Sequence, residues 1–366
     1  MHATTRLRTM QAFFSEDQLG HDPQQFMRLG RIHKPADLPT RPLALRSALA
    51  ARGIAVQRPE DYGRAPLAAV HSDDYLDFLE TAYARWQALA GGAVAPGPEV
   101  LANMSPYVLD PAQRGGSVRG PCPSPSVVAQ AGWYLGDLSV PLGPLSWQSM
   151  LRSAHCAVAA AEAVLAAGDD EPALAYALCR PSGHHARRDR ASGFCYINNS
   201  AIAAELLCRR VGRVAVLDVD AHHGDGTQQI FYDRADVLTV STHADPSNYF
   251  PFYAGYANET GSGAGAGCNL NLPMAHGSGN DVFFEALERA LDAVRDYAPK
   301  ALVLPLGFDT YKDDPISVLR MDFDAYRRIG ERVRELGLPT VVVQEGGYMV
   351  DAIGPGLDAF LQGLGA

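Results

Sequence analysis

The chain has 366 residues, is 47% hydrophobic and carries a formal net charge of −10, which is enough for one large α/β domain or two smaller ones. Acidity without a basic tract argues against a nucleic-acid partner, and no apolar run reaches transmembrane length, so a membrane is excluded as well. The six cysteines form no CxxC pair and residues 1–10 are basic without the apolar core of a signal peptide, which predicts reduced thiols in a cytoplasmic protein.

Residues 11–15 read as a short first strand. Residues 16–40 are polar, proline-containing and irregular, and a loop that long serves a function or a partner. Residues 42–52 have helical periodicity and end at Gly53. Asp73 suits the N-cap of a helix running to residue 87. Residues 99–145 are rich in Pro and Gly but hold Trp133 and Tyr134; aromatics do not suit a free tether, so this stretch predicts loops shaping a mouth. From Trp147 the pattern becomes regular. It runs as helix 150–167 closed by Gly168, strand 173–179, helix 199–210, strand 214–219 and strand 237–242. A glycine-rich loop to 267 follows, then helix 281–297, strand 301–306, helix 322–336 and strand 340–344. The alternation predicts a single domain over residues 1–366, α/β in class, with a parallel sheet and helices on both faces.

In such sheets ligands bind beyond the carboxyl ends of the strands, and the polar clusters sit there. Cys179 is followed by Arg180-Pro181-Ser182-Gly183-His184-His185, Val219 by Asp220 and His222, Leu306 by Gly307-Phe308-Asp309, and Gln344 by Glu345-Gly346-Gly347-Tyr348. Asp220 and His222 are two apart, so on extended chain they point the same way. A carboxylate and an imidazole so arranged make half a zinc site. Asp309 suits the third ligand, with Fe(II) or Co(II) as alternatives to zinc; read alone it also suits a turn or helix N-cap. His184 and His185 can serve as proton acceptor and donor, each needing an acidic orienter, for which Asp218 and Asp225 are available. Tyr348 after two glycines can donate to an oxyanion, although read alone the string favours an ordinary turn with a surface tyrosine.

Together, Arg180 to His185, Gly193-Phe194-Cys195-Tyr196-Ile197-Asn198-Asn199, Asp218 to Gly226, Asp309 to Pro315 and Glu345 to Tyr348 resemble the zinc-dependent histone deacetylase family. Within it, Phe13 to Asp17, His71 to Glu80 and Asp314 to Ser317 are similar to the bacterial acetylpolyamine amidohydrolases. The resemblance spans residues 149–364, and more loosely the N-terminal part. It implies an arginase/deacetylase-like fold with an eight-stranded parallel sheet. It implies one Zn2+ on Asp220, His222 and Asp309, with His184 and His185 as general base and acid and Tyr348 polarising the carbonyl. It implies an acyl channel walled by Gly193, Phe194 and an aromatic between 249 and 253, taken as Phe250 or Phe252. It further implies a structural K+ on Asp218, Asp220, His222, Ser241 and Thr242, and a second monovalent site on carbonyls near Phe231, Arg234 and Val237.

The expected activity is removal of acetyl groups from small acetylated amines such as N-acetylpolyamines, or from acetyl-lysine. The rivals are hydrolysis of other small amides on the same site, an arginase-like binuclear hydrolase, and a silent binding protein. Residues 18–40 would contribute to a homodimer or homotetramer that narrows the entrance. The polyamine enzymes carry acidic residues in the first loop and at the mouth. Here those positions fall near Phe26, Val127 and Ser139, none of them acidic. Asp17, Asp22 and Asp137 are the acids that could substitute.

Overall fold

The computed structural model describes residues 9–89, 95–105, 120–167 and 172–366. Residues 1–8, Gly168 and residues 106–119 of the expected mouth loop lie outside that set. Its frame is a sheet of eight parallel strands. In chain order these are β1 (Met10–Phe13), β4 (Val56–Gln57), β5 (Leu174–Ala177), β6 (Val214–Asp218), β7 (Val237–Ala244), β8 (Asn269–Met274), β9 (Ala301–Leu306) and β10 (Thr340–Gln344). In space they run β4-β1-β5-β10-β9-β6-β7-β8. The apolar runs predict the central strands because both faces are covered. Alternate side chains serve two cores: Val214 and Val216 of β6 join one, Ala215 and Leu217 the other.

The first core is closed by α3 (Asp73–Gln87), α4 (Val127–Tyr134), α5 (Ser146–Ala166) and α6 (Asn199–Val211). The second is closed by α1 (Thr40–Ala51), α8 (Asn280–Tyr297), α9 (Phe323–Glu335) and α10 (Val350–Leu364). Between α9 and α10 the backbones nearly touch, since a Cβ on Gly363 would sit 1.8 Å from the Arg327 carbonyl oxygen.

Several elements depart from the sequence reading. Strands β4 and β8 fall in stretches to which the sequence reading assigns no element; β4 has two residues, and β8 buries Asn269 and Asn271. Helix α7 (Asp225–Phe231) starts inside the metal motif, and α10 carries Pro355 in its first turns. Helix α4 occupies part of the expected mouth loop. Ser72, not Asp73, is the N-cap of α3; Asp73 lies in the first turn, where the helix dipole favours a carboxylate. Within 16–40 there is a short turn and an antiparallel hairpin of β2 (Phe26–Arg28) and β3 (Arg31–His33). Leu29 and Gly30 link its strands with φ of 50° and 73°, the positive values that a two-residue hairpin turn uses.

Candidate active site

Strands β5, β10, β9 and β6 are consecutive neighbours. Their exits therefore bring His184 and His185, Glu345 to Tyr348, Asp309, and Asp218 to His222 to one stretch of sheet edge. Donor atoms of Asp220, His222 and Asp309 lie within 4.8 Å of one another, and all three residues are buried. His222 Nδ1 is 3.3 Å from Asp220 Oδ1 and 3.0 Å from Asp309 Oδ2. Backbone N–H groups hold the carboxylates: His222 and Gly346 donate to Asp220 at 2.8 Å each, and Ala221 donates to Asp309 at 3.1 Å. Gly307 and Gly346 are required by close approach. A Cβ at Gly307 would stand 1.9 Å from Asp220 Oδ2, and one at Gly346 2.2 Å from Asp309 Oδ2.

Two buried carboxylates this close to each other repel. Burial and then Asp220 push the Asp309 pKa up. Burial alone would raise Asp220 as well, but His184 and His222 overturn that and hold it low. Such a cluster is costly unless a cation joins it, and the carboxylate–imidazole–carboxylate donor set fits a divalent transition metal.

The two tandem histidines each have a carboxylate behind them. His184 Nδ1 faces Asp218 Oδ2 and His185 Nδ1 faces Asp225 Oδ1, both at 2.9 Å. Their environments part them. Burial opposes charge on His184, but Asp218 and Asp220 override it and its pKa rises well above the usual value. Burial and repulsion from His184 lower His185 to about 4. Arg187 binds the far oxygen of Asp225 through Nε and Nη2, at 3.0 and 2.9 Å.

Tyr348 stands above this group. Arg41 lies over its ring at 4.8 Å, and burial and then Asp309 raise its pKa well above the usual value, so the phenol stays protonated. Phe194 and Phe250 flank the approach. The Phe194 ring is 5.8 Å from that of Tyr348, and Phe250 meets His185 edge-on at 4.7 Å. Gly193 has φ of 54°, and a Cβ there would collide with His185 and Phe250 at 2.6 Å. Phe252 is exposed, one ring further out at 6.4 Å from Phe250.

Asp218 is in register with Ser241 across β6 and β7, and Thr242 Oγ1 donates to the Asp218 carbonyl at 3.4 Å. A cavity of about 10 Å³ lies beside them, lined by Asp218, His223, Gln228, Ser241, Asn269 and Asn271 among others. Phe231, Arg234 and Val237 lie together where α7 passes into β7, with the Arg234 N–H donating to the Phe231 carbonyl at 3.0 Å.

The mouth departs from expectation. Phe26 does reach the site, its ring 5.6 Å from Phe194. Val127 is buried at the start of α4, so it cannot line an entrance. Asp17 is paired with Arg58 at 3.0 Å and Arg152 at 3.5 Å. Asp137 accepts from the Gly193 N–H at 2.9 Å and from Ser139. Asp22 is exposed.

Sequence reasoning missed three participants. Glu345 accepts the N–H groups of Gly183 and His184 at 2.7 and 3.1 Å. Arg41, fully buried, donates to the Gly347 and Glu345 carbonyls at 2.5 and 2.8 Å. Tyr249 stacks on His222 at 4.4 Å. Only the Glu-Gly-Gly-Tyr string hinted at the first; nothing local marks an arginine in an ordinary helical stretch.

A family model for the histone deacetylase domain matches residues 36–364. The acetylpolyamine amidohydrolase of Burkholderia pseudomallei is 47% identical over 98% of this chain and 99% of its own length. Acetylpolyamine amidohydrolase 1 of Pseudomonas aeruginosa is 41% identical over 97% of this chain and 98% of its own. The crystal structure of the acetylpolyamine aminohydrolase from Burkholderia pseudomallei superposes with a TM-score of 0.89 at 46% identity, covering 98% of this chain and 99% of that one.

Proposed function

Because the chain belongs to the histone deacetylase family, and is a deacetylase of the amidohydrolase type, we propose that it removes acetyl groups from N-acetylated amines with the help of one zinc ion. The observation that carries the reading is the meeting of Asp220, His222 and Asp309 below two carboxylate-backed histidines. Those three residues would hold the metal. When bound there, such a metal supplies Lewis acidity, polarising the acyl oxygen and acidifying a water molecule.

The chain's own residues supply the rest. With Nδ1 engaged by Asp218 or Asp225, each histidine presents Nε2 to the reaction side. His184 and His185, each backed by a carboxylate at 2.9 Å, would carry the proton transfers, one accepting the proton of the attacking water and the other giving a proton to the departing amine. Tyr348 donates its phenolic proton to the oxyanion that develops on the acyl oxygen. Phe194 and Phe250 line a narrow apolar approach that admits an unbranched chain and excludes water.

We infer N-acetylpolyamines as the first substrate class, from the names of the relatives, with acetyl-lysine side chains next. A K+ ion would sit against Asp218, Asp220, His222, Ser241 and Thr242, as the resemblance implies, and the pairing of Asp218 with Ser241 across β6 and β7 supports it. A second would sit near the carbonyls of Phe231, Arg234 and Val237. The hairpin of β2 and β3 exposes Met27, Leu29 and Ile32, and we assign that face to a second copy of the chain. Among the described residues no helix is long and apolar enough to cross a membrane, in keeping with a cytoplasmic enzyme.

The test is a panel of acetylputrescine, acetylspermidine, an acetyl-lysine peptide and a neutral acetamide, with the metal content of the same preparation measured. Turnover of acetylated amines by protein holding one zinc per chain is expected. Two metals per chain would favour the arginase-like reading, and zinc-loaded protein inert on the whole panel would end the proposal.

A further inference from the structure

We propose that Asp314 is a positioning residue for Tyr348, holding the backbone from which the phenol is aimed. The proposal rests on Tyr348 being the donor to the acyl oxygen. Asp314 lies in the loop after β9, five residues beyond Asp309, and is 6% exposed. Its Oδ2 accepts the N–H of Tyr348 at 2.6 Å and that of Met349 at 3.0 Å, while Oδ1 accepts the N–H of Ile316 at 3.1 Å. Among the described residues it makes no ion pair. Three backbone donors, and after them the Arg41 charge, are therefore what offsets burial of the carboxylate. Burial still pushes its pKa up, and its charge adds to the repulsion felt by Asp309. A buried acid that repels a neighbouring carboxylate and hydrogen-bonds only backbone is costly for a plain loop tie.

What it ties explains the cost. Residues 345–349 run from the end of β10 to the start of α10. Gly346 is fixed by its N–H to Asp220 and its carbonyl to the Phe308 N–H, whereas Gly347, with φ of 117°, takes a conformation that glycine adopts without strain and turns the chain toward Tyr348. Arg41 pins the carbonyls of Glu345 and Gly347 from one side. Asp314 pins the following N–H groups from the other. Arg41 and Asp314 thus hold the two ends of one peptide group, the Gly347 carbonyl and the Tyr348 N–H, and Asp314 alone continues to the N–H of Met349. Its carboxylate also stands at the N-terminus of α10, where the helix dipole favours it.

A misplacement of about 1 Å in a reacting group costs on the order of a hundredfold in rate. Asp314→Asn keeps the shape but turns an N–H donor toward one of the two sets of backbone N–H groups. It is expected to lower kcat by about ten- to a hundredfold, with KM within about twofold, zinc content unchanged and the thermal midpoint largely kept. The decisive measurement is the same substitution in a Tyr348→Phe background. With no phenol to aim, Asp314→Asn should cost less than about twofold there. Equal losses in both backgrounds would make Asp314 a merely structural tie and overturn the proposal, as would an unchanged kcat in the single variant. If Asp314→Asn does not fold, Asp314→Ser, which keeps one acceptor oxygen, is read in the same two backgrounds by the same criterion. A normal rate for Tyr348→Phe alone would instead sink the role of Tyr348, and the proposal with it. The two failures are thus told apart.

Discussion

Gly307→Ala tests the metal site without touching any candidate ligand. Gly307 follows β9 with its backbone outside the left-handed region, so alanine meets no conformational penalty there. The obstacle is steric. The new Cβ would lie 1.9 Å from Asp220 Oδ2 and 2.4 Å from its Cγ, whereas ordinary contact begins at 3.4 Å. The carboxylate must retreat by about 1.5 Å, while metal–ligand distances tolerate only about 0.2 Å. Asp220 cannot move that far and stay a ligand, because His222 and Gly346 N–H groups fix both its oxygens. Disturbing a residue that merely supports a ligand costs about 10–100-fold in metal affinity, and removing a ligand should cost more. Overpacking of this kind lowers stability by about 1–3 kcal/mol, which a domain of this size should survive. The assay is zinc affinity by competition with a chelating dye, alongside kcat and the thermal midpoint. Expected are a folded protein, zinc affinity down by at least a hundredfold, and activity recovered only at high zinc. A variant with native zinc affinity and native kcat would mean that Asp220 is not held where the metal binds.

Tyr348→Phe removes one oxyanion donor and no ligand, so kcat should fall by about 10²–10³ at constant zinc content; a near-normal kcat would return Tyr348 to an ordinary turn residue. Substrate breadth follows from the mouth: Asp17 is spent on Arg58 and Arg152, and Val127 is buried. Acetylated amines and acetyl-lysine should therefore fall within about a hundredfold in kcat/KM, about 2.7 kcal/mol, with the preference for cationic amines shrinking as salt screens it. A preference above about a thousandfold that ignores salt would contradict this. Stability should fall with acid. His71 is buried, bonded through Nδ1 to the Arg187 and Arg188 carbonyls and through Nε2 to the Asn198 N–H, and burial lowers its pKa to about 4. The unfolded chain binds its proton first, so this contribution is whole above pH 6.5 and lost as pH falls toward 4, at up to about 1.4 kcal/mol per unit. Urea unfolding at pH 7 and pH 5 should show that slope, and His71→Gln should reduce it by about one proton; an unaltered slope would refute it.

By itself the sequence determined what depends on neighbours along the chain. The limits of β9 and β10 were legible because a strand covered on both faces must be apolar throughout, and Ala301–Leu306 and Thr340–Gln344 are. So was the polar cluster after each strand, and the two-residue spacing of Asp220 and His222. Tertiary structure decided everything carried across the sheet. His184 meets Asp218 over 34 residues of chain, His185 meets Asp225 over 40, and Asp309 meets His222 over 87. Those meetings follow from β5, β10, β9 and β6 lying side by side, and strand order leaves no local trace because it is set by how helices cover the two faces. The same holds for what was missed. The buried asparagines of β8 look like loop residues until Gln228 and Glu259 bond them. Arg41 looks like any helical arginine until α1 brings it beneath the Glu345–Tyr348 turn. Polar residues that a distant partner satisfies cannot be told from solvated ones by spacing alone, because the partner, not the residue, makes burial affordable.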